Sequence, residues 1–79
     1  MYLKYMAIRI HLGRLLGERK MKMAELSRQT GINKNALSEL YYEKVKAVRF
    51  ETLDKICRTL GCSIGELLEY QEENKNSTS

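Results

Sequence analysis

Met23–Tyr42, MAELSRQTGINKNALSELYY, is the stretch whose reading decides the fold. Leu26 and Thr30 stand four residues apart, on one face of a short helix, and Gly31 follows where the chain must stop and reverse. Such a reversal commonly passes through a left-handed conformation that glycine enters without steric cost. A second helix then opens at Asn33, whose side chain can accept a backbone N–H as N-cap. Ile32 and Leu37 have the spacing of a hydrophobic staple, which sets the angle at which the chain enters that helix. Leu37 and Leu40 face inward, while Asn35, Ser38, Glu39 and Tyr42 are left outward with Lys34 at the exposed helix start. Two short helices joined in this way make a helix-turn-helix.

The spacing resembles that of the phage repressor and Cro family of DNA-binding proteins, also called the XRE family. In that family's motif the fourth, ninth, tenth, fifteenth and eighteenth positions are usually Leu or similar, Gly and three aliphatics. Here they are Leu26, Gly31, Ile32, Leu37 and Leu40. The run ETLDKICRTLGCSIGELLEY, Glu51–Tyr70, is also similar to the family's fourth and fifth helices. The resemblance implies an all-α, five-helix, lambda-repressor-like domain that binds double-stranded DNA with helix 3 in the major groove. Two positions depart from the pattern. Ser27 stands where Ala is usual at the helix contact, and Met23 replaces a Gln that often supports the recognition helix or touches DNA, so that contact is not carried over.

Outside the motif, a length of 79 residues allows one domain with a small core. Residues 1–70 are expected to form it, and 71–79, QEENKNSTS, a disordered polar tail with nothing apolar to bury. The net charge of +4 conceals an asymmetry, because residues 1–50 hold 11 Lys or Arg against 4 acidic residues and residues 51–79 hold 3 against 6. The basic half carries the helix-turn-helix, and cations there suit phosphate neutralisation. Cys57 and Cys62 form no CxxC pair and His11 is the sole histidine, so zinc is not expected and the thiols read as buried and reduced. There is no secretory leader and no apolar run of membrane-spanning length, which makes a cytoplasmic protein the expectation. No cofactor or small-molecule ligand is expected, and with no base beside Cys57 and no glycine-rich phosphate loop, neither is an enzyme.

Residues 1–7, MYLKYMA, are apolar and aromatic. Either helix 1 extends back to Ala7, or Met6, Ile8 and Ile10 form a short N-terminal strand that pairs across a two-fold axis with its copy in another subunit; Met6 as the true start is a third option. Helix 1 is otherwise expected from Ile8 or Ile10 to Lys20, helix 2 over Met23–Thr30, and helix 3 from Lys34 to about Tyr42. EKVKAVRF reads as a loop. Leu53, Ile56, Cys57 and Leu60 mark helix 4, ended by Gly61. Ser63 and Glu66 have capping-box spacing, starting a helix 5 whose Ile64, Leu67 and Leu68 face the core.

The family resemblance places base contacts at Lys34 and Asn35. Asn can pair with adenine N6 and N7, and Lys can donate to guanine O6 and N7. Ser38, one turn on, reaches a base or phosphate, and Asn33 joins the set at the helix start. Glu39 either accepts a hydrogen bond from cytosine N4, orients Arg28 or Lys34, or stays solvated. Tyr42, Lys44, Lys46 and Arg49 suit backbone anchoring, and Lys22 marks a helix N-terminus able to meet phosphate. Tyr41 is expected to pack on helix 4, and His11 to lie on the surface without a carboxylate partner. The function that follows is transcriptional regulation by sequence-specific DNA binding, as a repressor and a homodimer, its interface either the N-terminal segment, from Tyr2 to Ile10, or helix 5 near Leu68 and Tyr70. The alternatives are an antitoxin or other protein-interaction partner that also binds DNA, and a nonspecific or RNA-binding accessory protein.

Overall fold

The computed structural model describes residues 7–71. In chain order they form β1 (Ile8–Ile10), α1 (Leu12–Glu18), α2 (Met23–Thr30), α3 (Lys34–Tyr41), α4 (Phe50–Leu60), α5 (Ile64–Leu67) and β2 (Leu68–Tyr70). The α2–α3 junction has the expected chemistry. Gly31 is left-handed at φ +80°, and the Asn33 side chain accepts the Ala36 N–H at 2.8 Å. Two hydroxyls complete the turn: Ser27 Oγ donates to the Ile32 carbonyl at 2.6 Å, and Thr30 Oγ1 donates to the Leu26 carbonyl at 2.7 Å while accepting the Ile32 N–H. Ser27 therefore does more than fit a tight contact; it ties the end of the turn to α2.

Farther along, Gly61 ends α4 at φ +67°, and the Cys62 N–H reaches the Cys57 carbonyl at 3.1 Å in the six-residue closure of a Schellman motif. The capping box of Ser63 and Glu66 is fully formed at the start of α5. Leu12, Leu15, Leu26, Leu37, Ile56 and Leu67 are fully buried between the helices, joined by Ile10, Leu16, Leu40, Leu53 and Leu60.

Both chain ends depart from the sequence reading. Helix 1 does not extend back to Ala7 but starts at Leu12, because Ile8–Ile10 is a strand. Its partner is not a second subunit: β1 pairs antiparallel with β2 of the same chain, Ile8 opposite Tyr70 and Ile10 opposite Leu68. The pairing continues through Gln71 N–H to the Ala7 carbonyl, and His11 N–H to the Leu67 carbonyl, both at 2.8 Å. Helix 5 accordingly lasts one turn and stops at Leu67, where β2 starts. Ile64, expected in the core, is 51% exposed. Tyr41 lies against α1, where a Cβ on Gly13 would sit 3.3 Å from its ring. His11 has a carboxylate partner after all, Nε2 standing 2.7 Å from Glu69 Oε1. The two cysteines are half-buried. Tyr2, Leu3, Tyr5 and Met6, and the tail 72–79, lie outside the described residues.

Candidate nucleic-acid interface

Because α3 buries Leu37 and Leu40, its other faces carry the candidate reading residues. Lys34, Asn35 and Glu39 are exposed and Ser38 is half-buried. Asn33 is committed through its Oδ1 to the Ala36 N–H, which leaves its amide nitrogen to donate outward. Glu39 does not orient Arg28, which pairs with Glu25 at 2.6 Å. Instead Glu39 shares a groove of about 210 Å³ with Ala36, Val48, Arg49 and Thr52, at the seam between α3 and the start of α4.

The segment between α3 and α4 is a loop, as its sequence indicated, and it is anchored at two posts. Val45 and Val48 pack against the core, while Lys44, Lys46 and Arg49 between and beside them are exposed. At its start Tyr42 is 60% exposed, with its ring edge-on to Tyr41 and the Lys44 ammonium 5.9 Å from its centroid. Lys22 precedes α2 as an N-cap in extended conformation with no side-chain cap, so the first backbone N–H groups of that helix remain free to meet an anion.

Charge is divided unevenly among the cations. Arg9, Arg14, Arg19, Arg28, Lys55 and Arg58 are each in an ion pair. Among the described residues Lys20, Lys22, Lys34, Lys44, Lys46 and Arg49 are in none. The unpaired set lies before α2, at the start of α3 and in the α3–α4 loop. Lys20 was missed from sequence.

Two acidic groups beside this region are held ionised. Hydrogen bonds from Arg28 and then Gln29 draw the Glu25 carboxyl below its usual range. Bonds from Arg9 hold the Glu43 carboxyl down at about 2, against the opposing effect of partial burial. The Cys57 thiol moves the other way, pushed up to about 11 by burial first and by the adjacent Cys62, so it is protonated at neutral pH and a poor nucleophile. No helix among the described residues is long and apolar enough to cross a membrane.

Residues 11–73 match the Cro/C1-type HTH DNA-binding domain family. The chain is 44% identical over 68 residues to a Bacillus subtilis (strain 168) protein named as an uncharacterized HTH-type transcriptional regulator, YozG, with 86% of this chain and 81% of that protein aligned. Its fold is similar to the crystal structure of the transcriptional regulator VanUg, with a TM-score of 0.70, 31% identity, and 92% of this chain and 96% of that one covered.

Proposed function

The chain belongs to the Cro/C1-type helix-turn-helix family of DNA-binding transcription regulators, and on that premise we propose that it acts as a sequence-specific repressor, a homodimer with one α3 in the major groove of each half-site. Asn35 and Lys34 are the base-reading side chains, with Ser38 and Asn33 beside them. Lys22, Tyr42, Lys44, Lys46 and Arg49 hold phosphates. Glu39 stays solvated beside the groove.

One observation carries this assignment of residues: among the described residues the unpaired cations lie before α2, at the start of α3 and in the α3–α4 loop, while the other Lys and Arg residues are in ion pairs with carboxylates. Unpaired lysines can release counterions from DNA without first breaking an ion pair. Dimerisation is supported by the small reach of one half-site, about four base pairs, and by the apolar groups left outside the core, of which Phe50 is 87% and Tyr70 69% exposed. Ile10, by contrast, is buried within the chain and unavailable to a partner. Removing residues 1–6 and weighing the protein by sedimentation equilibrium separates an N-terminal interface from one at α5 and β2.

Selection on random duplex DNA tests the whole. Enrichment of an inverted repeat with half-sites about one helical turn apart supports the proposal. Steep salt dependence with no enriched sequence overturns it in favour of a nonspecific binder.

A further inference from the structure

Lys44 N–H bonds to the Glu39 carbonyl at 2.8 Å and Glu43 N–H to the Leu40 carbonyl at 3.1 Å, the two closures of a Schellman motif. The motif's left-handed residue is Glu43, at φ +59°; Lys20 at φ +53° stands in the same place at the end of α1, whereas the chain uses glycine at the ends of α2 and α4. A side chain at that position strains the backbone, and at Glu43, unlike Lys20, a contact from outside the loop holds it.

The holder is β1. Glu43 Oε1 accepts Arg9 Nε–H at 2.6 Å and the Ile10 backbone N–H at 3.2 Å, and Oε2 accepts Arg9 Nη2–H at 2.8 Å. This paired contact of guanidinium and carboxylate is directional as well as attractive. β1 is itself fixed, paired with β2 and rooted in the core through Ile10. The residue after Glu43 is Lys44, the first of the unpaired loop cations, followed by Lys46 and Arg49.

We propose that Arg9 and Glu43 are positioning residues for DNA binding: their clasp ties the exit of α3 to the β-sheet and so aims the cationic α3–α4 loop at the phosphate backbone. The inference rests on the DNA reading above. Glycine alone would satisfy the turn, as Gly31 and Gly61 do. Glutamate adds a directional tether from the loop's first residue to the sheet.

Glu43→Gly tests this, because it keeps the turn, relieves its strain and removes only the tether. Binding of the full chain to a mixed-sequence 20-base-pair duplex is titrated against salt, with a hydroxyl-radical footprint and circular dichroism of each protein. The expected result for Glu43→Gly and for Arg9→Gln is a native spectrum, about tenfold weaker binding, and a salt slope shallower by about two units, the loss of two phosphate contacts. The footprint should lose protection where the loop lies and keep it elsewhere. The double variant should be no worse than either single one. Glu43→Gln, which keeps an acceptor oxygen for the Ile10 N–H and one Arg9 N–H, should recover most of the slope and remains informative if the glycine variant fails to fold. Variants with the wild-type slope and footprint would overturn the clasp while leaving the DNA reading intact. A wild-type protein that bound no duplex would overturn that reading and the clasp with it.

Discussion

The Nε–H of Arg19 donates to the carbonyl of Leu60 at 2.6 Å, so the residue that closes α1 also closes α4. Its Nη2 reaches the Gly61 carbonyl at 3.4 Å. Helix C-termini present carbonyls with no intrahelical partner, and a guanidinium satisfies them with charge of the favourable sign. Arg19→Ala is expected to destabilise the domain by about 1.5–3 kcal/mol, the range for a hydrogen bond to a charged group. Thermal unfolding measures it, and DNA affinity of the protein that remains folded should not change.

Two glycines should respond to alanine with opposite signs. Gly17 lies within α1, outside the left-handed region, and an added Cβ would meet nothing within 4 Å, so Gly17→Ala should stabilise by about 0.5–1 kcal/mol through helix propensity and a less disordered unfolded chain. Gly31 also has open space around it, but its φ is +80°. Gly31→Ala should cost roughly 1–2 kcal/mol from backbone strain alone. Gly31→Val should lower both melting temperature and DNA affinity, because it disturbs the angle between α2 and α3. Melting temperatures that move in the same direction at both sites would contradict this distinction.

Acid should loosen the clasp at β1. Glu43 has its carboxyl held at about 2, below the ordinary 4.5, chiefly by Arg9. A carboxylate whose folded-state value is depressed stabilises the fold above its unfolded value, and that contribution fades as pH falls from about 4.5 towards 2. Glu43→Gln imitates the protonated group. Its melting temperature should therefore lie below wild type at pH 7 and converge on it as pH approaches 2, as calorimetry at both pH values would show. A difference that stayed constant across this range would mean that the charge of Glu43 does not contribute.

The parts legible in the sequence are those set by near neighbours. The limits of α2, the glycine turn, the Asn33 cap, the end of α4 at Gly61 and the Ser63–Glu66 box each depend on residues within one or two helical turns. The errors at the two chain ends involve distant partners. Ile8–Ile10 alternates as a strand should, but Leu68–Tyr70 reads as the end of a helix, and only the pairing of the two settles either. His11 meets Glu69 58 residues away and Arg9 meets Glu43 34 residues away, separations at which local spacing says nothing. In the interface, the outward residues of α3 were legible from its period. Most of the cation pairing was within reach of local spacing too, since Arg14, Arg19, Arg28, Lys55 and Arg58 meet carboxylates no more than four residues away, and only the pairing of Arg9 with Glu43 depends on the fold.

The division of labour between α3 and its loop is tested most directly by one competition titration, on the sequence enriched from random DNA and on mixed-sequence duplex. Asn35→Ala should lose about 1–3 kcal/mol on the enriched site and little on the mixed sequence. Lys46→Ala should weaken both alike and reduce the salt slope by about one unit. An Asn35→Ala protein with undiminished preference for the enriched site would contradict the assignment of α3 as the reading element.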